Sequence, residues 1–272
     1  MRLRGAVVLV TGASSGIGEA TALQLARKGA RLALCARRLD RLQSVAERCR
    51  KLGSPAVTVR KADVGKRAEA RAFVAGAVRD FERVDALVNN AGVGWRGRLW
   101  EMPEDDAERL VDINVLGLLW TTQAVLPPML AARAGVIVNV SSVVGFRPAA
   151  YSALYSATKH AVVGLSHALR GELSGTGVKV SVVYPASTRT EWLERLGETA
   201  SASMPAASAD SVARTVVNAL RWPRRDVIVF PYRLAQMAEP FLGGPLDHIL
   251  GEARRRQSPD LEEPVPHEQA DV

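Results

Sequence analysis

Short apolar runs alternate with stretches of helical periodicity along most of the chain. Runs rich in Val, Ile, Leu and Ala recur at Ala6–Thr11, Arg31–Ala36, Ala56–Arg60, Val84–Asn89, Val136–Ser141, Val178–Tyr184 and Val227–Phe230. They are short and apolar, and all but Arg31–Ala36 contain β-branched residues, so each predicts a strand. Between them the pattern predicts helices over Gly16–Lys28, Leu39–Leu52, Lys66–Phe81, from about Glu104, around Ala153–Ser174 and near Ala209–Leu220. Seven strands separated by helices imply an α/β protein, with a parallel sheet covered by helices on both faces. Right-handed crossovers favour the doubly wound arrangement.

Neither an internal repeat nor a linker precedes Gln257. One domain is therefore expected over residues 1–231, with residues 232–256 as a C-terminal helical extension of it. In that extension Phe241, Leu242, Leu246, Ile249 and Leu250 fit one helical face. Such a face suits packing on a subunit, covering the pocket or peripheral contact with a membrane, the last through Arg254, Arg255 and Arg256. Residues 257–272 hold five acids, three prolines and no Lys or Arg, which predicts a disordered acidic tail.

Composition narrows the class. Hydrophobic content of 47% suits a globular protein with a real core. Thirty of the 36 cations are arginines scattered along the chain, which reads as a solvated surface and not as a nucleic-acid groove. Ile113 to Ala132 is uncharged and long enough to span a bilayer. It contains Asn114, Thr121, Thr122, Gln123 and the pair Pro127-Pro128, so it reads as a buried helix in a water-soluble core. The run Ala6–Val10 is too short for a secretory signal core. Cys35 and Cys49 lack metal-ligand spacing and read as buried thiols in a reducing, cytoplasmic compartment.

The first candidate site is Thr11-Gly-Ala-Ser-Ser-Gly16-Ile-Gly18, between the first strand and the first helix. Glycines let the backbone turn tightly and approach a phosphate, and the helix start offers free N–H groups to a pyrophosphate. Gly12, Ser14, Ser15, Gly16, Ile17 and Gly18 are the candidate contacts. The spacing is Gly-x3-Gly-x-Gly, not the Gly-x-Gly-x-x-Gly of the standard dinucleotide fingerprint. At the end of the second strand, where NAD-binding versions carry an acid for the ribose 2′-OH, stand Arg37 and Arg38. Guanidiniums fork onto phosphate oxygens, so NADP(H) is expected over NAD(H).

The second candidate is Tyr155-x3-Lys159, with Ser142 thirteen residues earlier. Residues four apart on a helix share a face. An ammonium near a phenol favours the phenolate, which makes the pair a proton-transfer device for carbonyl/alcohol chemistry. Four tyrosines and six lysines would supply such a pair by chance in roughly one chain of this length in eleven, so its weight comes from context.

Four segments together carry that context. The glycine turn, Asn89-Asn90-Ala91-Gly92, Ser142 and Tyr155-x3-Lys159 resemble the short-chain dehydrogenase/reductase family, in order over residues 5–231. The resemblance implies a single Rossmann-type domain, a seven-stranded sheet, a nicotinamide cofactor and a homodimer or homotetramer, which favours subunit packing for residues 232–256. By position, Tyr155 resembles the catalytic acid/base and Ser142 the group that polarises the carbonyl oxygen. Lys159 resembles the residue that lowers the tyrosine pKa and holds the nicotinamide ribose. Asn114 resembles the support of a water relay to Lys159. Asp63 and Val64 resemble the adenine contact, and Asn90, Ala91 and Gly92 the segment bordering the cofactor. Pro185 and Thr190 fall beside the nicotinamide, Thr190 on its carboxamide. Ala186 stands where the family usually has glycine after that proline.

The expected activity is hydride transfer between NADP(H) and a small carbonyl compound or secondary alcohol. Trp95 and Trp100, with Trp192, Leu193, Leu196 and Met204 in a predicted lid over residues 187–207, favour a hydrophobic substrate. A 3-oxoacyl-carrier-protein reductase is the nearest alternative activity. A non-catalytic NADP-sensing protein is the alternative of another class, and the intact Ser142/Tyr155/Lys159/Asn114 set argues against it.

Overall fold

The computed structural model describes residues 1–186, 188–189, 207–228 and 252. Strands β1 (Val7–Thr11), β2 (Arg31–Ala36), β3 (Val57–Lys61), β4 (Ala86–Asn89), β5 (Gly135–Val140), β6 (Val178–Tyr184) and β9 (Asp226–Ile228) form one parallel sheet in the order β3-β2-β1-β4-β5-β6-β9. The short strands β7 (Thr188–Arg189) and β8 (Ala207–Ser208) pair with each other alone. The helices are α1 (Gly16–Arg27), α2 (Leu39–Lys51), α3 (Arg67–Phe81), α4 (Glu104–Val111), α5 (Gly117–Ala131), α6 (Ala153–Glu172) and α7 (Ala209–Arg221).

Side chains alternate across the sheet with period two. From β1, Val8 and Val10 enter the core under α1, α2 and α7, while Val7 and Leu9 enter the core under α3 and α5. From β5, Val136, Val138 and Val140 join the first core and Ile137 the second. Burial on both faces explains why these strands read as continuous apolar runs. Each such side chain contributes about 1.5–3 kcal/mol.

Strand order reverses between β1 and β4, which pair through Val8↔Ala86, Leu9↔Leu87 and Val10↔Val88. In an open α/β sheet, the crevice for a ligand lies beyond the carboxyl ends of the strands at such a reversal. The glycine turn follows β1 and Asn90 follows β4, so both line that crevice.

The elements fall where the pattern placed them, with two differences. The helix expected from Glu104 is interrupted by a π-turn over Asp112–Leu116 before α5 resumes. The last strand is Asp226–Ile228, and residues 229 and 230 lie outside the described ones. The run Glu104–Ala131 is long and apolar enough to cross a membrane by length and composition. Its Asn114, Thr121 and Thr122 are buried and hydrogen-bonded within the domain, and Val125 and Met129 pack in the second core. Residues 232–251 and 253–272 also lie outside the described residues, and with them the expected extension and tail.

Candidate active site

The turn after β1 is built to stay open. Gly12 (φ +65°) and Gly16 (φ +57°) occupy the left-handed region, which favours glycine. A Cβ on Gly12 would lie 2.8 Å from Ala91 Cα, and one on Gly18 would collide with Gly12 O and the Asn90 amide. Asn90 Nδ2 donates to Thr11 O at 3.0 Å and to Gly12 O at 3.2 Å. Thr11 Oγ1 accepts from the backbone N–H groups of Asn90 and Ala91, each at 3.0 Å. The β4 end is thus stapled to the turn, and Asn90 braces the two central strands.

The N-cap of α1, Ser15, makes no side-chain capping bond. Its hydroxyl instead accepts from Arg38 Nη2 at 2.7 Å, with Ser14 Oγ 3.4 Å from the same nitrogen. A helix start without a side-chain cap, a turn with no room for a Cβ at Gly12 or Gly18 and a guanidinium drawn in from just after β2 suit a pyrophosphate with a further phosphate nearby. Arg37 is exposed. Asp63 Oδ1 accepts from Gly65 N at 3.1 Å. Val64 is buried, with its side chain and its carbonyl both against Gly117.

The second group of residues converges across β4, β5 and α6. The π-turn carries Asn114, which is 2% exposed. Asn114 Oδ1 accepts from Val93 N at 2.8 Å, and Nδ2 donates to Val93 O at 2.9 Å and to Thr158 Oγ1 at 3.1 Å. Thr158 Oγ1 itself donates to Tyr155 O at 2.8 Å. Asn114 is therefore tied to the helix that bears Tyr155 and Lys159. A π-turn inside a helix commonly marks a functional position. Here it holds an amide in a side-chain network that a regular helix would aim elsewhere.

Lys159 Nζ stands 5.7 Å from the centroid of the Tyr155 ring and donates to Val140 O at 3.2 Å. Gly92 leaves room between Asn114 and Lys159: a Cβ there would lie 3.2 Å from Asn114 Oδ1 and 3.5 Å from Lys159 Nζ. The lysine is 6% exposed, and burial lowers its pKa from 10.5 to about 8. A buried ammonium this poorly partnered is costly, which marks the position as a functional candidate.

Ser142 follows β5 and caps the short turn Val143–Gly145, accepting from Val144 N at 3.3 Å. Its neighbour Ser141 is buried and donates to Lys159 O at 3.0 Å. Of the two serines, Ser142 is the one partly open to the crevice. Pro185 is buried, and its carbonyl accepts from Val143 N at 2.9 Å. Thr190, Trp192, Leu193, Leu196 and Met204 lie outside the described residues. Trp95 packs against Gly97, whose N–H donates to Tyr151 O at 3.0 Å, and Trp100 is 74% exposed.

Several supporting residues stand outside the candidate set read from the sequence. Thr11 and Thr158 act as hydrogen-bond hubs. Asn89 joins Thr121, Thr122 and Asn139, and Asn139 donates to Ser166, in a buried network beneath the site. Thr11 and Asn89 open the quoted motifs, which is their visible cue, and Thr158 has none. Cys35 and Cys49 are buried with raised thiol pKa values, as expected of structural thiols; burial pushes Cys49 up to about 11.

Known proteins resemble this chain in sequence and fold. The family profile described as short chain dehydrogenase matches residues 6–201. An uncharacterized oxidoreductase of Listeria innocua is 36% identical over 250 residues, covering 89% of this chain and all of that one. Levodione reductase superposes with a TM-score of 0.77 at 27% identity, covering 85% of this chain and 98% of that one. An alcohol dehydrogenase from the archaeon Thermococcus sibiricus, solved with 5-hydroxy-NADP, superposes at 0.74 and 30% identity, covering 83% and 96%. The chain belongs to the short-chain dehydrogenase family and is an oxidoreductase with a Rossmann-type fold.

Proposed function

We propose that this protein transfers hydride between NADP(H) and a carbonyl compound or secondary alcohol, with Tyr155 as acid/base and a hydrophobic substrate. The observation that carries this reading is the buried Lys159 ammonium beside the Tyr155 ring, with Asn114 linked through Thr158 to the same helix. Bound NADPH supplies the hydride. Ser142 and Tyr155 hydroxyls donate to the carbonyl oxygen where negative charge develops, and Tyr155 then gives up its proton to it. Fixed donors of this kind stabilise developing charge, and positioned proton transfer contributes about 10²–10⁴-fold. Lys159 holds positive charge beside the phenol, favours its ionised form and holds the nicotinamide ribose. Asn114 anchors the relay that returns a proton to Lys159.

Gly12, Ser14, Ser15, Gly16, Ile17 and Gly18 would cradle the pyrophosphate. Arg38, with Arg37, would take the 2′-phosphate, giving preference for NADP(H). Asp63, Val64, Asn90, Ala91, Gly92, Pro185 and Thr190 would complete the cofactor contacts. Residues 1–231 form the catalytic domain in this reading, and 232–256 mediate a cytoplasmic homo-oligomer.

An NADPH-oxidation screen across ketones, aldehydes, quinones and 3-oxoacyl thioesters tests the proposal. Turnover of an apolar ketone, lost in Tyr155→Phe, is expected. No oxidation with any class, alongside tight NADPH binding, would replace the enzyme reading with a nucleotide sensor.

A further inference from the structure

Tyr184 ends β6 and is fully buried. Two contacts tie this point of the sheet to the turn that carries Ser142. The Tyr184 ring packs on Phe146, with 5.8 Å between centroids and planes inclined by 59°. The carbonyl of the next residue, Pro185, accepts from Val143 N at 2.9 Å. Residues 143 and 146 are therefore both held from one place at the end of β6.

Tyr184 is itself fixed from the sheet edge. Its hydroxyl donates to Asp226 Oδ1 at 2.8 Å. Asp226 opens β9, an edge strand that pairs with β6 at three positions among the described residues. The same oxygen meets His167 Nε2 at 2.9 Å, and Oδ2 pairs with Arg225 Nε at 3.2 Å. Arg225 Nη2 stands 3.4 Å from His167 Nδ1. A guanidinium only donates, so Nδ1 is the acceptor and Nε2 carries the hydrogen that goes to Asp226. Arg170 closes the outer side through Val180 O at 3.1 Å and Arg225 O at 2.7 Å. Burial, then the bond to Asp226, pushes the Tyr184 phenol up, so it remains a donor.

A phenylalanine at 184 would fill the same space without a phenol to desolvate, and an apolar residue at 226 would need no partners. Buried polar groups cost free energy unless paired, and a fully paired cluster fixes one geometry. We infer that Tyr184, Asp226 and His167 form a positioning relay that fixes the Ser142 turn from the edge of the sheet. None of the three touches the Ser142 hydroxyl. They act through Phe146 and Pro185, and a small misplacement of a reacting group is enough to slow the chemistry strongly.

The functional half of this inference rests on the proposed role of Ser142, so the test has two arms. In the first, amide exchange is measured on the protein without nucleotide. Tyr184→Phe should speed exchange at Val143–Phe146 by about tenfold, because the constraint on the turn is released. His167→Leu should do the same, while His167→Gln, which keeps an N–H for Asp226, should stay near the parent. In the second arm, Tyr184→Phe should lower kcat for ketone reduction by about tenfold, with KM and the NADPH Kd within about twofold. Unchanged exchange at Val143–Phe146 in Tyr184→Phe overturns the relay. Unchanged kcat with faster exchange overturns its link to catalysis. Absence of any ketone turnover in the parent protein defeats the proposed function instead, and the exchange arm still decides the relay.

Discussion

Two tyrosines, Tyr155 and Tyr184, stand in opposite surroundings. Tyr155, in the first turn of α6, is partly exposed and faces a buried ammonium. Tyr184, at the end of β6, is fully buried and donates to a carboxylate that two further cationic or donor groups also bind. An ammonium favours ionisation of a phenol, whereas burial and an adjacent carboxylate oppose it. The contrast teaches that side-chain type does not assign the chemistry here. The charge and solvent access around each hydroxyl do, and they make one tyrosine a candidate proton carrier and the other a fixed post.

The contrast breaks first at Lys159. Replacing it with methionine removes the ammonium and should lower kcat/KM by about 10³-fold or more, as expected when a group acts as a unit with the acid/base. Stability should move the other way. The folded-state pKa of Lys159, about 8, lies below its ordinary 10.5. The unfolded chain therefore holds the proton between these values, and stability rises with pH through that window, by about 3 kcal/mol in full. Lys159→Met should melt higher at pH 7 and lose that rise between pH 8 and 10.5. Thermal melts of both proteins from pH 7 to 10.5 check it, and a lower melting temperature for the variant at pH 7 would contradict a costly buried charge.

The nucleotide end gives the next effect. Arg38→Ala should weaken NADP binding by about tenfold or more and NAD binding by less than about threefold, since one guanidinium–phosphate contact is lost. Equal losses, measured by titration with both nucleotides, would show that Arg38 supports the turn through Ser15 and does not read the phosphate. The smallest effect concerns the thiols. Cys35 and Cys49 are buried with raised pKa values, so a thiol reagent should label neither in the native protein and both in denaturant.

The seven strands of the main sheet and most helix limits were legible in the sequence because parallel strands buried on both faces leave continuous apolar runs. The strands Arg31–Ala36 and Val178–Tyr184 fall on their predicted limits. The π-turn at Asp112–Leu116 was not legible, because it depends on the Asn114 side chain finding the Val93 backbone and Thr158, contacts between segments far apart in the chain. The inward turn of Ser141 onto Lys159 O was not legible either, because it joins the end of β5 to α6. The relay at Tyr184 was hidden for the same reason, since β9 and α6 meet β6 only in three dimensions. Tyr155 and Lys159 could be read because helical spacing alone puts them on one face.

The most direct test of the contrast sets Tyr155→Phe beside Tyr184→Phe, each losing one hydroxyl. NADPH binding by titration and ketone reduction by loss of NADPH absorbance would be measured on both. With Tyr155 as the proton carrier, Tyr155→Phe should bind NADPH as the parent does and lose turnover by about 10³-fold or more, against about tenfold for Tyr184→Phe. Turnover retained in Tyr155→Phe, or a loss in Tyr184→Phe as large, would contradict the assignment.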